Sequence, residues 1–204
     1  MILTALGVDL EGNKEVLALR ACATEDKDGW SCLLQDLRTR GVTEIDLIVT
    51  DGHDGILAAV ASLFPVTLRQ RCLVHKQRNV MNAIAHREHK EVVAELAGIW
   101  KQEKKEDALL NLAAFKAKYR LRYPEAIRSL CEDEEHLLTF YAFPQVMHRY
   151  IRSTNAIESF FEPRPTAYGS NRRLHHGNFV PHHCLGRHAG YTLAEDSRLV
   201  KTEY

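Results

Sequence analysis

The sequence of 204 residues lacks net charge, since 27 lysines and arginines balance 27 aspartates and glutamates. The totals therefore point to neither a nucleic-acid nor a membrane partner, and any basic surface has to be local. Long apolar runs are missing as well. None approaches the roughly 20 residues that span a bilayer, and MILTALGVDLEG has neither the basic start nor the long apolar stretch of a secretion signal. Cysteine is sparse: Cys22, Cys32, Cys72, Cys131 and Cys184 are odd in number and widely spread, with no C-x-x-C pair. That argues against a disulfide framework and for a reducing compartment, by default the cytoplasm. What is present is 45% apolar, enough to bury a core in one domain or one domain with an insertion.

Residues 2–9 and 14–22 alternate as two strands around the polar turn Leu10-Glu11-Gly12-Asn13, a β-hairpin. Over 28–40, Trp30, Leu33, Leu34 and Leu37 share a helical face, and Gly41 is a plausible stop. Ile45–Val49 reads as a short buried strand that delivers Asp51 and Asp54 into a glycine-containing turn before a helix over 56–64. Residues 66–74 suggest one more strand, ending near Cys72 and His75. From 76 to 150 the pattern turns helical, with Val92, Val93, Leu96, Ile99 and Trp100 on one face, and Leu109, Leu112, Phe115 and Tyr119 on another. An all-α block thus follows an α/β block. The last 44 residues hold three of six prolines and five of eleven histidines, without a sustained period.

An acidic residue just past a buried strand is where α/β folds place chemistry, so Asp51 stands out, with C-L-V-H at 72–75 and Glu158 in STNAIES. Singly, each has an ordinary alternative. Asp51 could cap the next helix, and Cys72 and His75 could be a buried thiol and a satisfied core histidine. Together, two carboxylates at one sheet edge can hold a pair of Mg²⁺ ions about 3.5–4 Å apart, which activate a hydroxyl and stabilise the leaving oxygen of a phosphodiester. Asn155 lies one helical turn before Glu158, so both can face one groove. Arg69, Arg71, Lys76 and Arg78 flank the C-L-V-H segment and could neutralise DNA phosphates or simply be solvated. His175 to Cys184, with His188, offers zinc donors without the spacing of a finger.

The blocks ALGVDLEGNKEVLAL, VTDGHDGI, CLVHKQRN, LLTFYAFP and STNAIES, in this order, resemble the Mutator-type DDE transposases of bacterial insertion sequences over residues 3 to about 161. The resemblance implies an α/β fold: a ribonuclease-H-like catalytic core over 1–75, an all-α insertion over 76–150, and a return to the core over 151–161. It implies that Asp51 and Glu158 are the second and third catalytic carboxylates, holding two Mg²⁺ (or Mn²⁺) ions. Cys72 and His75 fall on the family's C-x-x-H motif, and with Arg78 and Asn155 they are expected to shape the site or touch DNA. The implied partners are DNA, as element ends and target, and further copies of the intact enzyme, at the bacterial nucleoid. The family's first aspartate lies on a strand before the ALGVD hairpin. The mixed sheet is therefore expected to lack that strand, and this chain to be inactive. Asp9 matches a hairpin-turn position instead. A non-catalytic DNA-binding or dimerising regulator derived from a transposase is the alternative reading.

In the family, the STNAIES segment continues into a basic helix, whereas here Pro163 and Pro165 end any helix. Back-translated from Glu162 with suitable wobble bases and read one nucleotide later, the tail can spell a basic polar stretch followed by an amphipathic run, closer to the family. Residues 162–204 are expected to be an out-of-frame, disordered tail.

Overall fold

The computed structural model describes residues 1–155 and the backbone of 191–193. The alternating apolar residues at the start form the expected hairpin: β1 (Ile2–Val8) and β2 (Lys14–Ala21) pair antiparallel, with a bulge between Ala5 and Leu6. Asp9 closes the turn. Its carboxylate accepts the Asn13 backbone N–H and side-chain amide, both at 2.7 Å. Gly12 has φ +85° and the Tyr150 ring packs where a Cβ would stand, so the turn requires glycine.

Asp26 caps α1 (Lys27–Thr39) by accepting the Gly29 N–H at 2.8 Å, and Gly41, at φ +101°, follows its end. β3 (Leu47–Thr50) and β4 (Leu68–Arg71) pair in parallel, with α2 (Asp54–Leu63) as the crossover. Successive side chains of a strand face opposite sides, and β3 uses this to divide the interior. Ile48 joins Leu3, Ala5, Trp30, Leu33 and Ile56 in a core with α1 and α2. Leu47 and Val49 join Val8, Leu96, Phe115 and Phe140 in a second core, formed with the helices that follow. The strands are thus the middle layer of three, and the molecule is mixed α/β and rich in helix.

Those helices are α3 (Leu73–Asn82), α4 (His89–Trp100), α5 (Lys105–Tyr119), α6 (Pro124–Glu132) and α7 (His148–Ile151). Two expectations are corrected here. The strand expected over 66–74 stops at Arg71, because residues 73–82 are helical, with Leu73, Lys76 and Val80 on the buried face at i, i+3 and i+7. On α5 the buried face is Ala108, Leu112, Phe115 and Tyr119, while Leu109 is 46% exposed. Val92, Leu96, Ile99 and Trp100 are buried as expected, with Val93 at the margin. In the tail, Tyr191–Leu193 form β5, antiparallel to β1 with Leu6 opposite Thr192. The rest of residues 162–204 and the histidine-rich zinc donors lie outside the described residues. Among those described, no helix is long and apolar enough to cross a membrane.

Arg71 and Lys76, read in the sequence as possible phosphate ligands, are buried and spent on another task. Asp133 Oδ2 accepts from Lys76 Nζ at 2.6 Å and from Arg71 Nε at 3.0 Å. Lys76 also donates to the Ser129 carbonyl at 2.7 Å. Gly52 turns at φ +94° against the Arg71 guanidinium, 2.8 Å from where a Cβ would sit. Beside this triad, buried Gln70 donates to the Leu137 carbonyl at 3.0 Å and accepts the Phe140 N–H at 2.9 Å. The helical block is therefore bolted to β4 by polar bonds beneath its apolar contacts.

Burial pushes the Asp133 carboxyl up, but Lys76 and Arg71 outweigh it and hold it below the usual range. Its contribution to stability is complete above the unfolded value, about 4, and is lost as pH falls through the lower folded value. Asp133→Ala leaves buried Arg71 without a carboxylate and Lys76 with only Glu132, at 3.8 Å, and is expected to cost roughly 3–5 kcal/mol. Urea denaturation at neutral pH measures that loss, and repeating it at acid pH should show a shallower acid-induced fall in the variant than in the parent.

Candidate functional site

Asp51 follows the last residue of β3 and stays half-buried at the strand's carboxyl end. Its Oδ1 accepts the His53 N–H at 3.1 Å, an Asx turn. The cap of α2 is His53, whose Nδ1 accepts the Gly55 N–H at 3.1 Å. Asp51 is thus not the helix cap, the ordinary role its position would suggest. Asp54 sits exposed in the first turn of α2, where the helix dipole favours a negative charge.

Cys72 joins three segments at this edge. Its backbone N–H donates to the Thr50 carbonyl at 2.7 Å, next to Asp51. Its Sγ, fully buried, accepts the Thr154 N–H at 3.3 Å and lies 3.3 Å from Thr154 Oγ1 and 3.1 Å from His75 Nδ1. Thr154 Oγ1 and His75 Nδ1 are themselves 3.3 Å apart, which closes a triangle. The Leu73 N–H, one of the orphan donors at the start of α3, is taken by the Arg152 carbonyl at 3.0 Å. The end of β3, the start of α3 and the segment entering STNAIES thus meet at one cysteine.

The electrostatics follow from these contacts. Burial pushes the Cys72 thiol up, but hydrogen bonds from His75 and Thr154 outweigh it and leave it below the usual thiol range. The bond to Cys72 raises His75 above the usual histidine value against the effect of burial, with the negative charge of Asp51 adding to the rise and Arg78 opposing it.

Of the residues expected from sequence, Asp51, Cys72 and His75 come together. Arg78 is exposed one turn beyond His75 on α3. Asn155 is exposed and already helical, and Glu158 lies outside the described residues. No group of three His, Cys, Asp or Glu able to hold a metal occurs among the described residues. Sequence reasoning missed Thr154, the residue that carries the clasp. Its signal was a threonine directly before a helical segment, the usual capping position.

Replacing Cys72 by alanine removes the partner that raises the His75 imidazole. The imidazole, titrating above about 6.5 in the parent, is expected to move down toward that value in Cys72→Ala. An NMR pH titration of the His75 ring protons reads this directly, and an unchanged midpoint would rule out the pairing.

A family model described as Transposase, Mutator family, matches residues 1–163. The transposase for insertion sequence element IS6120 of Mycolicibacterium smegmatis is 36% identical over 160 residues, 78% of this chain and 50% of that protein. The transposase for insertion sequence element IST2 of Acidithiobacillus ferrooxidans is 37% identical over 161 residues, 78% of this chain and 54% of that protein. The transposase for insertion sequence element IS905 of Lactococcus lactis is 35% identical over 155 residues. The chain spans about half the length of the first two of these relatives. The match takes in β3, Asp51, the Cys72 clasp and the entire helical block, and on it the chain belongs to the Mutator family of transposases.

Proposed function

We propose that this chain is the larger part of a ribonuclease-H-like transposase core, serving metal-dependent cleavage and transfer of DNA strands at the ends of an insertion sequence. In this reading residues 1–75 and 151–161 form the core, and 76–150 are a helical insertion docked on it. The observation that carries the reading is the clasp at Cys72. One residue ties the strand end bearing Asp51 to the segment that leads, four residues after Thr154, to Glu158.

The donor set fits a hard divalent cation. Asp51 offers carboxylate oxygen at a half-exposed strand end, with one oxygen steadied by the His53 N–H, and Glu158 offers a second carboxylate. Mg²⁺ and Mn²⁺ take such oxygen ligands. Bound by Asp51 and Glu158, the ions would activate a hydroxyl and stabilise the leaving oxygen of a phosphodiester. The chain's own residues do the placing. Cys72 ties Thr154 to the strand end that bears Asp51, and supporting bonds of this kind are what a site of exact geometry needs. His75, whose imidazole the bond to Cys72 pushes above the usual histidine value, lies near Asp51, and exposed Arg78 adds a cation suited to a DNA phosphate.

Mn²⁺ binding tests the assignment without requiring turnover. Asp51→Asn and Glu158→Gln are each expected to weaken Mn²⁺ binding by roughly tenfold or more, about 1.4 kcal/mol, measured by calorimetry or by loss of the free-ion paramagnetic resonance signal. Equal affinity in the parent and in Asp51→Asn would refute the site.

A further inference from the structure

The chain passes from α3 into α4 through a single 3-10 turn, His86–Glu88, and α4 opens on His89. The His89 backbone N–H donates to the His86 carbonyl and closes that turn. A 3-10 helix has three residues per turn, so side chains three apart eclipse. The backbone itself therefore sets the His86 and His89 rings side by side. Their planes cross at 81° with centroids 4.8 Å apart, whereas the two Nδ1 atoms are 3.4 Å apart. Those nitrogens stand on the facing edges of the rings.

One contact fixes which nitrogen of His89 carries the proton. Its Nε2 lies 2.9 Å from the Ile84 carbonyl, which can only accept, so Nε2 is the N–H and in the neutral ring Nδ1 holds the lone pair. A ring that gives its far N–H to a backbone carbonyl is arranged as metal-ligating histidines are. Ile84 is buried in the core with Leu96 and Val92 of α4, so the His89 ring is anchored from beneath. His86 is exposed and leaves the approach to the pair open.

The separation selects the ion. Two nitrogens held at about 2.0–2.1 Å by a tetrahedral Zn²⁺ stand about 3.3–3.4 Å apart, while the right angle of a square-planar Cu²⁺ or Ni²⁺ site would bring them to about 2.9 Å. The 3.4 Å of this pair matches the tetrahedral case. Neighbouring charges limit the affinity. Glu88 is engaged by Arg87 and Arg122, Lys90 is exposed alongside, and a helix start disfavours a cation. An ion held there by two protein donors, with water completing its set, exchanges readily.

We propose that His86 and His89 form a Zn²⁺ site, each ligating through Nδ1, that staples the junction of α3 and α4. Neither the 3-10 turn nor α4 has a side-chain cap on its first N–H groups, so the chelate steadies a helix start that lacks the usual support. The site uses none of the residues assigned to the candidate metal-dependent chemistry.

Zn²⁺ alone, titrated at neutral pH into the full chain and followed through the ring nitrogen resonances, tests this. The histidines at 175, 176, 182, 183 and 188 offer competing donors, so the reading is made residue by residue. The Nδ1 resonances of His86 and His89 are expected to shift together in one saturable step while the His89 Nε2–H persists. Amide exchange over His89–Val92 should slow roughly tenfold once free Zn²⁺ reaches about ten times its Kd. His86→Ala, at an exposed position, should raise the Zn²⁺ concentration needed to shift the His89 ring roughly tenfold or more, because chelation is lost. His86→Gln repeats the reading if the alanine variant disturbs α4. A His89 response that is the same in the parent and in these variants overturns the proposal, as does a shift at Nε2 in place of Nδ1 or the absence of any response at both rings.

Discussion

One carboxylate, Asp133, bonds two cations that the fold has taken out of water, and Glu132 lies 3.8 Å from one of them, Lys76. Arg71 comes from the last residue of β4 and Lys76 from the first turns of α3, while Asp133 stands at the end of α6. Removing charges from solvent costs several kcal/mol per ion unless their partners are well placed. The junction therefore holds together only when α6 is docked. Gln70 adds to this by bonding the Leu137 carbonyl and the Phe140 N–H. Cys72 lies between Arg71 and Lys76, so the triad that secures the helical block also sets where that thiol can stand.

The candidate site is the outward consequence of this inward constraint. With β4 and α3 held, the Cys72 backbone bonds the strand end before Asp51 and its sulfur bonds Thr154. The helical block and the site are thus mechanically one unit. Basic residues next to the C-L-V-H segment are divided between structure, in Arg71 and Lys76, and solvent, in Arg78. A charge total cannot register that division.

Much of the layout was legible because it depends on local periodicity and local turn chemistry. The hairpin, α1 with its glycine stop, the strand before Asp51 and the buried face of α4 all follow from spacing alone. Asp9 as a turn residue was legible for the same reason, through Asn13 and Gly12. The misreadings have a shared cause. Residues 66–74 looked like one strand because Val66, Leu68, Cys72 and Val74 alternate, yet the helical pattern of Leu73, Lys76 and Val80 prevails once Lys76 has Asp133 to meet. A lysine on a buried face is invisible to a hydrophobicity pattern. Leu109 stands at helical spacing from Leu112, as does Ala108, and it is Ala108, the smaller neighbour, that faces the core.

The sequence by itself determined the family, the order of the blocks and the identity of Asp51, Cys72 and His75 as residues of interest, because spaced motifs survive without coordinates. It also determined most of which segments are helical and which extended, the strand expected over 66–74 aside, since those preferences are set largely within a few residues. The tertiary structure alone decided that Arg71 and Lys76 face inward, that His53 and not Asp51 caps α2, and that Thr154 closes on Cys72. Each of those outcomes joins residues remote in sequence or resolves a competition between neighbouring donors. Only packing, which fixes distances to a few tenths of an ångström and excludes water from the losing arrangement, can settle either.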